Sequence, residues 1–149
     1  MQLMAELRGD AWTKEARDRV LGALDFPAQA LKRPVREYSK GMTQKVGLAA
    51  ALLSGAALTV LDEPMSGLDP VARITMRDAL TTLRSGNRAL VFTTHSLHDL
   101  EHLCDRMAVI HHGRLCFHGT PEALCRTFGE QTLEPAFIAC LREAEHRAG

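Results

Sequence analysis

Apolar residues recur at helical spacing near the start of the chain and at strand spacing farther on, and the pattern changes near Ala56. Up to about Arg36 the sequence is rich in polar residues. Ala16, Val20 and Leu24 lie four apart there, behind Thr13 in a position to cap a helix, and Pro27 and Pro34 then break the pattern. The uncharged stretch from Val46 to Leu61 is shorter than the roughly 18 residues that suggest a membrane span. Ser54-Gly55 interrupts it, so it reads as helix, turn and buried strand. Beyond Ala56, apolar runs at Leu58–Leu61 and Ala89–Thr93 alternate with a helix from Pro70 to Arg84, which predicts a parallel α/β sheet.

The boundaries of these elements carry their own chemistry. Asp69 can accept from exposed helix amides while Pro70 takes the first helical position, where no amide is missed, and Thr120-Pro121 repeats the device. Ala72, Met76, Leu80 and Leu83 form an apolar stripe, and Gly86-Asn87 turns the chain back to the sheet. Ser96 and Asp99 resemble a capping box. Met107–His111 and Arg114–His118 flank His112-Gly113, a pair suited to a tight β-hairpin, and Glu134–His146 reads as a final helix. The small residues Gly47, Ala49, Ala50 and Ala51 predict close packing within the core. There is no internal repeat and no low-complexity segment.

Composition narrows the classes of function. The 149 residues are 46% hydrophobic, enough for one domain with a core and too apolar for a disordered chain. Eighteen basic and eighteen acidic residues cancel, which argues against a nucleic-acid partner. Cys104, Cys116, Cys125 and Cys140 are irregularly spaced without a Cys-x-x-Cys pair, as expected of a reducing, cytoplasmic compartment. Met1–Asp10 mixes acid and base with apolar residues and does not read as a secretory signal.

The segment Leu58-Thr59-Val60-Leu61-Asp62-Glu63-Pro64 ends a strand in two adjacent carboxylates, at the sheet edge where α/β folds place ligands. In a phosphate site the first acid, Asp62, can hold magnesium through water and the second, Glu63, can polarise an attacking water. Two solvated acids in a strand-end turn are the plain alternative. Ser39 and Gly41 can open a helix whose amides approach a phosphate closely, or Ser39 can simply cap that helix. His95 follows the strand Ala89–Thr94 and can donate to a phosphate oxygen at the same edge. His98 and His102 share a helix face near Cys104, but no paired-ligand spacing supports a metal there, and a structural role is the preferred reading.

In this order and at these spacings the segments resemble the ABC transporter ATP-binding (nucleotide-binding) domain over about Met1–Thr127. Leu58–Asp62 looks like Walker B, Glu63 like the catalytic glutamate, Ser66-Gly67-Leu68-Asp69 like the D-loop and His95 like the switch histidine. Tyr38-Ser39-Lys40-Gly41-Met42 stands where that family has its signature loop. It departs from the pattern, with Tyr38 for leucine, Lys40 for the first glycine and Met42 for glutamine. The wording is most similar to bacterial exporter-type subunits, and no coiled-coil insertion separates signature from Walker B.

The resemblance implies an α/β fold: a partial P-loop NTPase domain of ABC type, with a helical subdomain, a mostly parallel sheet with flanking helices and a C-terminal β-hairpin. With the change of pattern near Ala56 as the boundary signal, the chain is expected to divide into a helical signature subdomain at 1–55, an α/β portion at 56–128 and a C-terminal helix at 129–149. The resemblance also implies ATP and Mg2+ as ligands, catalytic roles for Glu63 and His95, nucleotide contacts by Ser39, Gly41 and Asp69, and metal binding by Asp62. The implied partners are a transporter membrane subunit and a second nucleotide-binding domain paired head to tail, with the chain peripheral at the inner face of the membrane. No Gly-x-x-x-x-Gly-Lys-[Ser/Thr] loop is present, because Lys14, Lys32, Lys40 and Lys45 precede Glu15, Arg33, Gly41 and Val46. In the family that loop and the Q-loop lie upstream, and Met1–Gly9 looks like the stretch just after the Q-loop. The chain alone is therefore expected to hydrolyse ATP weakly or not at all. The alternatives are a non-catalytic module that supplies its signature loop in trans and a nonfunctional truncated remnant.

Overall fold

The computed structural model describes residues 13–84 and 88–147, which form two compact units that divide between Thr93 and Thr94. The expected Gly86-Asn87 turn, the Met1–Gly9 stretch and the Leu83 side chain lie outside the described residues.

In the first unit, α1 (Lys14–Ala23) begins where the Thr13 hydroxyl accepts from the Ala16 amide at 3.1 Å, as its sequence predicts. The α-helix stops at Ala23, well before Arg36. Pro27 and Pro34 each precede a short 3-10 turn, Ala28–Lys32 and Val35–Glu37, because proline suits a helix start and lacks the amide that would continue one. Leu21, Leu24, Phe26 and Ala30 are buried. Tyr38 closes this region, its hydroxyl donating to the Ala30 carbonyl at 2.8 Å and its ring meeting Phe26 edge-on. Next come α2 (Lys40–Leu53) and β1 (Leu58–Leu61), then α3 (Pro70–Arg84) and β2 (Ala89–Phe92). Asp69 Oδ1 caps α3, accepting from Ala72 N at 2.9 Å, and Met76, Ala79 and Leu80 bury its apolar stripe.

β1 and β2 pair in parallel with Leu58 opposite Ala89 and Leu61 opposite Phe92, so the parallel sheet is present. The burial expected of β1 is not. Leu58 is 55% exposed and Val60 68%, and in β2 Val91 is 53% exposed, while Thr59 is the buried member of β1. A parallel strand is buried on both faces only when helices and neighbouring strands cover it, and among the described residues this sheet has two strands. Small residues in α2 also divide differently from the expectation. Ala49 is buried, whereas Gly47 is exposed and a side chain there would meet nothing within 4 Å.

The second unit contains α4 (Leu97–Leu103), β3 (Met107–His111), β4 (Arg114–Gly119), α5 (Pro121–Phe128) and α6 (Leu133–His146). β3 and β4 form the expected antiparallel hairpin, whose His112 and Gly113 both adopt positive φ, 46° and 73°. That pair of left-handed residues matches the twist of the strands. Thr120 caps α5 through Ala123 N at 3.1 Å, and left-handed Gly129 ends it as Glu130 N returns to Cys125 O at 2.9 Å. Met107, Val109, Leu124, Leu133, Ala136 and Cys140 form the core. The expected Ser96 capping box does not form. Ser96 occupies the N-cap of α4, but its side chain accepts no capping hydrogen bond, and Asp99 is buried.

Candidate functional site

The predicted carboxylates sit at the C-terminal end of β1, where the parallel strand stops and the backbone reverses. Glu63 takes a left-handed conformation, with φ of 46°, which a non-glycine residue adopts at a cost and which its surroundings must hold. Its peptide is fixed from both sides. The Glu63 amide donates to Thr93 Oγ1 at 3.0 Å, and its carbonyl accepts from Ser66 N at 3.1 Å and from Gln44 Nε2 at 3.4 Å. The Thr93 hydroxyl in turn donates to Asp62 Oδ1. One hydroxyl at the end of β2 therefore ties both acids to the neighbouring strand.

The turn after Glu63 rests against the start of α2. Gln44 Nε2 also donates to Ser66 O at 3.1 Å, Lys40 Nζ donates to Ser66 Oγ at 3.3 Å, and Met65 beneath them is buried. Gly67 has φ of 73°, a conformation that favours glycine, and a Cβ there would come 3.0 Å from Lys40 Nζ, the flexible end of the lysine lying over it. Gly41 is equally close-set, since a Cβ at that position would fall 3.3 Å from Leu68 Cδ2. The residues of the signature-like and D-loop-like segments thus meet within one unit. Met42 is half-buried.

Each remaining candidate has a definite place. Ser39 is the N-cap of α2, accepting from Met42 N at 3.2 Å, which leaves its hydroxyl hydrogen available to a ligand. Asp69 spends one carboxylate oxygen on capping α3. Asp62 is exposed and Glu63 half-buried. His95 is exposed and belongs to the second unit, two residues beyond Thr93 along the chain. The sequence reading passed over Thr93 and Gln44. Thr93 could have been found as the hydroxyl ending the strand that pairs with β1, whereas nothing local marks Gln44, which acts across the fold. The second unit has a cleft of about 280 Å³ lined by Arg114, Cys116, Phe117, Phe128, Cys140 and Arg147, with none of the candidate residues in its wall.

A family model for an AAA domain, whose description also names an AbiEii toxin of a type IV toxin–antitoxin system, matches residues 17–99. An uncharacterized ABC transporter ATP-binding protein of Nostoc sp. is 43% identical over 97 residues, 65% of this chain and 29% of that protein. The Nod factor export ATP-binding protein I of Sinorhizobium fredii is 39% identical over 114 residues, 75% of this chain and 33% of that protein. The solved ATP-binding subunit of an ABC transporter superposes with a TM-score of 0.75 at 26% identity, covering 93% of this chain and 59% of its own. The chain belongs to the AAA-domain family whose model it matches, and it is similar to ABC transporter ATP-binding proteins. Its α/β fold is similar to that of ABC ATP-binding subunits, of P-loop NTPase type, a likeness extending to UvrA2 of Deinococcus radiodurans at a TM-score of 0.66 and 28% identity, over 82% of this chain and 16% of that one. The chain spans about a third of the length of the curated relatives it matches. Among its described residues no helix is long and apolar enough to cross a membrane.

Proposed function

We propose that this chain is the part of an ABC-type ATP-binding domain that senses and cleaves the γ-phosphate, working within the ATP-binding subunit of a membrane transporter. The observation that carries this reading is the pair of acids ending β1, both tied through the Thr93 hydroxyl and backed by Lys40 and Gln44. In it, Glu63 orients and polarises the attacking water, Asp62 is the metal ligand, and His95 donates to a γ-phosphate oxygen. Ser39 and Gly41 offer the N-terminal turn of α2 to a nucleotide held by a second, head-to-tail domain, and Asp69 lies in the loop joining the two. Exposed carboxylate oxygen at Asp62 suits magnesium, a hard cation that would neutralise charge on the phosphate oxygens. Functionally the chain divides into a signature portion at 1–55, a hydrolytic portion at 56–128 and a closing helix at 129–149.

The 149 residues contain no phosphate-cradling loop, so this reading requires ATP to be held by a segment outside them. Leu58, Val60 and Val91 supply an apolar face on which further elements of such a domain would pack. The protein would work at the inner face of the membrane through a membrane subunit. A second reading, a non-catalytic module completing a partner's site, is favoured by the retention of Ser39 and Gly41 where the cradle is missing.

The test measures MgATP binding and hydrolysis by the purified chain, alone and mixed with a Glu63→Gln counterpart extended by an upstream Walker A segment. The proposal expects no hydrolysis alone and an ATP-dependent complex in the mixture. Hydrolysis by the chain alone overturns the requirement for an external loop. A complex that forms only in the mixture supports a half-site supplied in trans by Ser39 and Gly41, and no response in either case leaves a remnant.

A further inference from the structure

We propose that His98, Glu101 and His102 form a surface site for zinc on α4. One turn of helix takes about 3.6 residues, so positions 98, 101 and 102 fall together on one face. Leu97 and Leu100 pack against the core of the second unit and Leu103 is buried, which turns the three polar side chains outward, where all are exposed. Their ligand atoms lie within 4.8 Å of one another. Bonds of about 2.0–2.1 Å in a tetrahedral zinc site put ligand atoms roughly 3.3 Å apart, a contraction that exposed side chains reach by small rotations.

The geometry of His102 sets this trio apart from an ordinary solvated face. Its Nδ1 lies 2.8 Å from the His98 carbonyl oxygen, which can only accept, so Nδ1 carries the hydrogen and Nε2 the lone pair. A ring nitrogen held by a backbone carbonyl, with the other free, is the arrangement that orients histidine ligands in metal sites. The two imidazoles are already close, with centroids 4.4 Å apart and planes inclined by 54°. Two imidazoles and one carboxylate suit zinc, copper or nickel and disfavour magnesium or calcium. Three protein ligands on an open face leave the fourth position to water. Glu101 completes the set rather than Cys104, whose thiol donates to the Leu100 carbonyl at 2.9 Å.

The experiment is a calorimetric titration of the chelator-treated chain with zinc chloride, repeated with cobalt(II) while following its visible absorption. One zinc per chain is expected, with affinity weakened at least about tenfold by His98→Asn and by His102→Asn and severalfold by Glu101→Gln. His112→Asn, at the exposed hairpin turn beside His111, should leave it unchanged. Because asparagine is a poor helix former, His98→Gln and His102→Gln accompany these variants, and circular dichroism checks that α4 survives. Absence of zinc binding, binding that persists in both glutamine variants, or binding lost only in His112→Asn overturns the site.

Discussion

Thr93 illustrates how much a single hydroxyl can organise. It accepts from the Glu63 amide and donates to Asp62, so replacing it with valine of similar shape removes both contacts at once. Thr93→Val should lower stability by about 0.5–1.5 kcal/mol, while Thr93→Ser should keep most of it, as read from urea unfolding midpoints. Cys140 shows a different kind of environment. It is buried in the core of the second unit, and burial, reinforced by Cys116 and Glu143, pushes its thiol up from the ordinary value. Since the thiolate is the reactive form, Cys140 should be alkylated slowest of the four cysteines in the folded chain, by roughly tenfold or more at mildly alkaline pH. Mass mapping of iodoacetamide labelling reads this out, and equal rates at Cys104, Cys125 and Cys140 would contradict it.

At the scale of elements, the caps were legible because capping is local chemistry. Thr13, Ser39, Asp69 and Thr120 all accept the amide that their position relative to the helix predicts. Thr120→Ala should therefore cost about 1 kcal/mol, measured by thermal or denaturant unfolding. The same cap links α5 to pH. The Thr120 hydroxyl, with Glu122's own amide and Arg126, holds the Glu122 carboxyl below its ordinary value of 4.5. A depressed carboxyl favours the folded state above that value, and the contribution disappears as pH falls through the lower folded value. The stability difference between the wild type and Glu122→Gln should thus be constant above pH 4.5 and shrink below it. Ser96 is the exception among the caps. Its position was legible, but the side-chain capping bond was not made, and its amide is bonded instead to Thr94 Oγ1 at 3.0 Å.

For the whole molecule, the telling feature is the apolar surface of β1 and β2. Leu58, Val60 and Val91 have the composition of a buried parallel strand but meet solvent among the described residues. If further elements pack there in the complete domain, Val60→Glu should leave the isolated chain within about 0.5 kcal/mol of wild type, since its side chain already faces water. The same change should prevent assembly with a separately expressed upstream segment carrying the Walker A loop, as judged by size-exclusion chromatography. Assembly that survives the substitution would mean that the partner docks elsewhere.

Local signals in the sequence determined the element types, the helix caps, the hairpin turn at His112-Gly113 and the placement of Asp62 and Glu63 at a strand end. Each depends on residues close together in the chain: the period of apolar side chains, the reach of a short hydroxyl or carboxylate, and the φ that a turn demands. The tertiary structure decided what is long-range. Lys40 lies 26 residues before Ser66, Gln44 19 before Glu63, and Thr93 30 after it. No periodicity could have announced that these groups converge on one turn. The exposure of β1 belongs to the same class, because whether an apolar strand is buried depends on which elements cover it, and its own residues cannot specify that.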